Sequence, residues 1–190
     1  MVLMSAVIIK RVTDLSELTG IKDLQAANLK TLISEEEATS QGFLSATYSP
    51  EFLEQMHLSC PSIVAKDGDE VVGYALVTTQ ENRYQHDLLA DLFNTIDTLS
   101  YNQKPLKESR YVVVGQLCVA KAYRGQGLVQ QLYGQFKAAL CDQFDFCVTD
   151  VAQANQRSLK AHIKTGFEVI DTLHYGGIGW DIVLWDWTKR

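Results

Sequence analysis

The sequence predicts a single mixed α/β domain. Three observations predict it. Runs of β-branched and apolar residues alternate, in part, with segments whose apolar residues recur every three or four positions. Two-stranded hairpin signals near both ends of the chain require antiparallel pairing. Two further runs, 111–120 and 144–151, look apolar on both sides, as central strands do.

Taken in order, "AVIIKRV" (6–12) is β-branched and reads as the first strand. Asp14 stands where a helix cap would, ahead of Leu15, Leu18, Ile21, Leu24 and Leu29 at near-helical spacing. "SEEEATSQ" (34–41) places Glu36 and Glu37 behind a Ser34 cap and predicts a short second helix. "SPEFLEQMHL" begins a helix at Pro50. "SIVAKDGDEVVGYALVTT" (62–79) is a hairpin turned at Asp67-Gly68. Leu88, Leu89, Leu92, Phe93, Ile96 and Leu99 then share one helical face, predicting a helix over 87–100 inserted between the third and fourth strands. The strand 111–120 leads into a helix with Leu128, Leu132, Phe136 and Leu140 at steps of four. "FDFCVTDV" is a further strand, and "NQRSLKAHIKTG" a helix from Asn155 to the Gly166 stop. "FEVIDTLHYGGIGWDIVLWDW" reads as two strands around a glycine-rich bend, with Trp185 and Trp187 on one face as core or interface.

The totals exclude some partners. The chain of 190 residues carries 17 basic and 23 acidic side chains, a net charge of −6. A nucleic-acid binder needs a basic face, so no nucleic-acid partner is expected, although a local basic site is compatible with an acidic protein. Cys60, Cys118, Cys141 and Cys147 form no C-x-x-C pair, and all four are expected to be buried thiols of a cytoplasmic protein. The four histidines lack metal-ligand spacing, and no metal is expected. The apolar start reads as a strand rather than a signal peptide, and no apolar run approaches membrane-spanning length, so no membrane partner is expected.

The stretch "AKAYRGQGLVQQLY" (120–133) carries the chemistry. Gly125 and Gly127 let the backbone turn tightly, and the helix that follows offers amides with no partner inside it. Those amides attract an anion, and Arg124 adds a forked cation suited to phosphate. A lone Gly-x-Gly is more often a plain strand-to-helix turn. The dinucleotide fingerprint would need glycine at Gln130, and the Gly-Lys-Ser/Thr of a P-loop is absent.

The wider stretch "QLCVAKAYRGQGLVQQLY" resembles the acyl-CoA-binding motif of the GNAT (general N-acetyltransferase) superfamily, Arg/Gln-x-x-Gly-x-Gly/Ala. Arg124 and Gly127 match it, whereas Val129 stands at the usual Gly/Ala position, where a branched side chain crowds the pyrophosphate. "NQRSLKAHIKTGFEVI" resembles the family's second motif through Asn155, Ser158, Gly166 and Phe167, with His162 where many relatives carry tyrosine. The resemblance implies a mostly antiparallel sheet of about seven strands, a splayed central parallel pair and helices on both faces. It implies acetyl-CoA as co-substrate and direct attack by a primary amine of a small molecule or peptide. It places the cofactor against Leu117, Cys118, Val119, Arg124, Gly125, Gln126, Gly127, Leu128, Val129, Asn155, Ser158 and His162, with Lys121 and Lys160 as possible aids to the phosphates. The backbone N–H of Val119 would polarise the thioester, His162 would protonate or hydrogen-bond the leaving thiolate, and Gly115 would permit the splay.

Relatives that use a strand carboxylate as base place it near Val113, where this chain has none, so Asp150 or water is left. Gln116, Tyr84 and Tyr175 are candidates on the acceptor side, which the resemblance builds from residues around 30–48, 80–109 and the last hairpin. The segment 80–109 reads as packing on the sheet or as a lid, and a homodimer is compatible with the fold. Val129 and the missing strand carboxylate also fit a catalytically inactive acyl-CoA sensor of the same fold.

Overall fold

The structure, a computed structural model, describes residues 6–35 and 43–189. Most of the helix expected over 34–41 lies outside the described residues. The chain begins with β1 (Ile8–Arg11) and α1 (Leu15–Ala27), followed by α2 (Pro50–Ser59) and the hairpin β2 (Ile63–Asp67) and β3 (Glu70–Thr78). After α3 (Asp87–Ile96) comes a small ribbon, β4 (Ser100–Tyr101) and β5 (Lys104–Pro105). The rest is β6 (Tyr111–Val119), α4 (Leu128–Leu140), β7 (Phe146–Ala152), α5 (Gln156–Thr165), β8 (Glu168–Tyr175) and β9 (Ile178–Asp186).

Seven strands form one sheet in the order β1-β2-β3-β6-β7-β9-β8. Every neighbouring pair is antiparallel except β6 and β7 at the centre. One face carries the core of α1, α2 and α3, with Ile21, Leu53, Met56, Leu92 and Phe93 fully covered. On the other face Leu128, Leu132, Phe136 and Leu140 of α4 are buried as their spacing predicts. Tyr133 joins them in an aromatic cluster with Phe167 and Trp185, and Trp187 packs against Phe136.

The predicted helix over 87–100 ends early. The Thr95 hydroxyl donates to Asp91 O and that of Thr98 to Thr95 O, an alternative to continued backbone pairing. Asn102 and Gln103 then turn the ribbon at positive φ. The segment packs on the sheet, Leu88 to Ile96 entering the core. The cysteine expectation also needs one correction: Cys60, Cys118 and Cys147 are buried, but Cys141, just past α4, is exposed.

The functional geometry originates where β6 and β7 part. They pair only from Tyr111↔Phe146 to Val113↔Val148. Just beyond, Gly115 is an extra residue on β6, because Leu76 faces Gln116 while Val77 faces Val114. A Cβ at Gly115 would lie 2.3 Å from the Thr78 hydroxyl, so only glycine fits the bulge unmoved. The Thr149 hydroxyl donates to Val114 O at 2.8 Å, closing the paired part with a side chain. Past that point the strands diverge and leave a wedge.

Candidate functional site

Two connected clefts fill the wedge. The larger, about 340 Å³, lies between the end of β6, the turn 123–127, the start of α4 and the exposed side of α5. Ala120 N donates to Val72 O, so residues 118 and 120 direct their peptide groups at β3. The alternate residues Leu117 and Val119 therefore turn theirs into the wedge. Val119 O already accepts from Arg124 Nε at 3.1 Å, while its N–H faces the opening.

Gly125 and Gly127 both sit at positive φ, 78° and 79°, a conformation that disfavours other residues. Gly127 is the N-cap of α4 and supplies no side chain, and the first helical bond runs from Gln131 N to Gly127 O. The amides of Leu128, Val129 and Gln130 thus have no partner within the helix. Each of the other α-helices described in full has a side-chain cap: Asp14 on α1, Ser49 on α2, His86 on α3 and Asn155 on α5. The bare turn belongs to α4. Arg124, Arg157, Lys160 and Lys164 line this cleft, and among the described residues no acidic side chain joins them, although the protein is acidic overall. A diphosphate fits these donors.

Leu117, Cys118, Val119, Arg124, Gly125, Gly127, Leu128, Val129, Asn155, Ser158 and His162 all line this cleft. Several differ in role. Arg124 turns inward: Nη2 binds Asn28 Oδ1, Nε binds Val119 O, and Nη1 is buried without a partner. Gln126 is exposed and donates to Ala122 O rather than facing the cleft. Asn155 accepts from Ser158 N and donates from Nδ2 to Phe43 O at 3.2 Å, so its amide tethers the loop 43–48. Val129 packs beside the second core. Burial pushes the Cys118 thiol up to about 12, leaving it protonated at neutral pH.

His162 does not have the geometry of a proton donor. Its Nδ1 lies 2.7 Å from Ser158 O, a pure acceptor, so that nitrogen carries the proton. Nε2 lies 2.6 Å from the Tyr133 hydroxyl, which donates to it. Burial depresses the imidazole to about 4, so the ring is neutral at pH 7 with both nitrogens engaged. It braces α5 on α4.

The second cleft, about 80 Å³, continues the first past Phe43, Leu44 and Leu117 toward β7. Tyr48, Leu88, Trp180 and Asp150 wall it. Gln116 reaches it but does not orient an acceptor: its Oε1 accepts from Tyr74 Oη at 2.7 Å and Gln25 Nε2 at 2.9 Å, and its Nε2 donates to Ala46 O at 2.8 Å. It ties the loop 43–48 to β6. Tyr84 is 74% exposed beside Arg83 and lines neither cleft. Tyr175 packs against the core, and its carbonyl accepts from Trp180 Nε1. Asp150 is different: its Oδ2 is buried with no hydrogen-bond partner, and burial raises the carboxyl to about 7.

Sequence reasoning missed Arg157 and Lys164, although with Lys160 they stand at i, i+3 and i+7 on one helical face, a readable signal. It missed Tyr48, Thr149 and Trp180, which come from distant segments.

The sequence matches the profile described as "Acetyltransferase (GNAT) family" over residues 29–167. No curated protein matches the chain significantly. Among solved structures, a chain of the NatC complex bound to Gag peptide and CoA superposes with a TM-score of 0.65 at 14% identity, covering 95% of this chain and 98% of that one. The yncA protein of Salmonella typhimurium, solved with its cofactor acetyl-CoA, gives 0.62 at 17% identity over 97% and 96%. A GNAT acetyltransferase of Streptococcus agalactiae gives 0.65 at 14% identity over 96% of each chain. At such identities these structures speak for the fold, while the profile, which spans most of the chain, decides the family: this chain belongs to the acetyltransferase (GNAT) family, as an acetyl-CoA-dependent N-acetyltransferase.

Proposed function

We propose that the chain holds acetyl-CoA and an amine together and transfers the acetyl group directly between them. The observation that supports this most is the bare first turn of α4 at the open end of β6, beside a second cleft that meets it at Leu117. The amides of residues 128–130, with Lys160 and Lys164 nearby, suit the diphosphate. The peptide groups of Leu117 and Val119 suit an extended amide-bearing arm added beside β6. Acetyl-CoA supplies an activated acyl carbon when bound there.

The Val119 N–H is then the chain's donor to the developing oxyanion, its direction fixed by the alternation along β6. The loop 43–48 holds the two substrates in line by roofing the wedge, stitched by Gln116, Asn155 and Tyr48, whose hydroxyl donates to Gly115 O at 2.9 Å. His162 stays neutral and positions α5. Calorimetry with acetyl-CoA tests this reading, with one-to-one binding expected. Free thiol should then appear only when an amine is added. No heat with acetyl-CoA would sink the proposal.

A further inference from the structure

The smaller cleft has an uneven distribution of polar groups. Tyr48, whose ring walls it, spends its hydroxyl on Gly115 O, and Thr149 spends its own on Val114 O. The amides of Gln116 and Asn155 are committed to the loop and to the α5 cap, and Trp180 Nε1 is committed to Tyr175 O. Asp150 Oδ2, in contrast, is covered from solvent and bound to nothing. Among the described residues, no Lys or Arg lines the slot. The titratable groups that share it are Tyr48, from the loop before α2, and His162, from α5. Burial, with the charge of Asp150 behind it, raises the Tyr48 hydroxyl far above its ordinary value, and burial lowers His162 to about 4. Both are therefore neutral near pH 7, and neither balances a carboxylate.

A covered carboxylate oxygen with neither cation nor donor is costly to ionise, although the residue's own N–H eases the charge on the group. An ammonium entering the slot would supply both. The rest of the lining sets the apolar and aromatic side chains of Phe43, Leu88, Tyr48 and Trp180 beside the small hydroxyls of Ser45 and Ser158. A peptide's first residue would bring an amide and a carbonyl close behind its amine, facing the polar groups of Tyr48, Thr149, Gln116, Asn155 and Trp180, whose hydrogen bonds are already spent. An alkyl or arylalkyl stem brings nothing that needs a partner, and aromatic rings favour a cation beside them.

We infer that Asp150 is the general base of this enzyme and that its acceptor is a primary amine carried on an apolar stem. The inference rests on the acetyl-transfer reading. The Asp150 carboxylate takes one proton from the bound ammonium. The freed nitrogen lone pair forms the N–C bond to the acetyl carbon, and the C–S bond breaks. The nitrogen's remaining surplus proton goes to the departing sulfur. The products are the N-substituted acetamide, the free thiol of CoA and a protonated Asp150, which returns its proton to water. A carboxyl near 7 is matched to this task at neutral pH.

The test compares the wild type with Asp150→Asn, using n-hexylamine, phenethylamine and a lysine-free peptide with an unblocked N-terminus. Acetyl-CoA affinity is measured first by calorimetry. Asp150→Asn should bind acetyl-CoA within about twofold of wild type, since the carboxyl lies outside the larger cleft. With the two simple amines, wild-type kcat/KM should exceed that of the peptide at least ~10-fold, and Asp150→Asn should lower it about 100-fold or more. The wild-type rate should rise as pH passes through 7, and this inflection should vanish in the variant. Acetylation of the peptide alone, of none of the three probes, or an Asp150→Asn enzyme with wild-type turnover would each overturn the inference. Failure of the wild type to bind acetyl-CoA would instead overturn the parent reading.

Discussion

The two clefts meet in one wedge, yet they are built from opposite materials. The larger is made of backbone: bare amides of α4, the turned peptide groups of β6, and a rim of cations. The smaller is made of side chains: aromatic and aliphatic walls around one acid, with the polar groups of Tyr48, Thr149, Gln116, Asn155 and Trp180 already used. The first suits a ligand with many phosphate and amide groups, which any backbone of the right shape can bind. The second suits a ligand with one reactive group, whose recognition depends on which side chains happen to surround it. The contrast separates what a family can share from what an individual chain can vary.

The most damaging break would remove the junction itself. Gly115→Val drives a side chain against Thr78, whose hydroxyl lies 2.3 Å from where the new Cβ would sit and has no partner of its own. We expect a loss of about 3 kcal/mol in urea unfolding, as overpacked cores show. Both clefts should fail together, seen as lost acetyl-CoA heat. If the variant folds and binds normally, the bulge does not create the wedge. Next comes Gly127→Asp, directed at the larger cleft alone. An aspartate there places an anion where the diphosphate is proposed to sit, and the positive φ of 79° strains its backbone. Calorimetry should show acetyl-CoA binding weakened about 100-fold, some 2.7 kcal/mol, with unfolding stability lowered by about 1 kcal/mol through the backbone strain.

The same contrast explains what the sequence disclosed. The glycines at 125 and 127 and the stripe from Leu128 to Leu140 are local patterns with one physical cause each, and they are found as read. The α3 stop was hidden because Leu99 continues the apolar spacing while Thr95 and Thr98 end the helix through side-chain bonds to backbone. The ribbon turn was hidden because Asn102 is followed by Gln103 rather than the usual glycine. Tyr48, Trp180 and the adjacent β7 residues Thr149 and Asp150 come from three separate segments of the chain and form a slot only after β6 and β7 part. Their individual neighbours in sequence give no sign of it. His162 was legible as a position but not as a chemical state, because Tyr133 and the Ser158 carbonyl decide that state.

Two groups in the wedge should also pull stability in opposite directions with pH. The folded protein holds Asp150 near 7, above its ordinary 3.8, so it keeps a proton that the unfolded chain has released. Stability from this source is present below about 3.8 and is lost as pH rises through 7. His162 is held near 4, below its ordinary 6.5, so the unfolded chain binds a proton that the folded one refuses. Its contribution is present above 6.5 and lost as pH falls toward 4. Asp150→Asn should therefore be more stable than wild type at pH 8, by about 2 kcal/mol after allowance for solvent contact, while showing little gain near pH 4. Thermal melts at the two pH values measure this. Equal stability at pH 8 would mean that the carboxyl is ionised without strain and that the slot is wetter than its walls suggest.

The smallest effects belong to the cations on α5. Lys160 and Lys164 are exposed, so water and salt screen them, and each should contribute only a few tenths to about 1 kcal/mol to anion binding. Lys160→Ala and Lys164→Ala should each weaken acetyl-CoA binding about threefold at low salt, and the difference from wild type should shrink toward nothing in ~0.5 M salt. Gly127→Asp should keep most of its defect under the same salt, because it changes the bare turn of α4 itself rather than a charge on the rim. If salt erased both defects equally, the larger cleft would be only a diffuse basic patch, and its difference from the side-chain slot would be one of charge rather than construction.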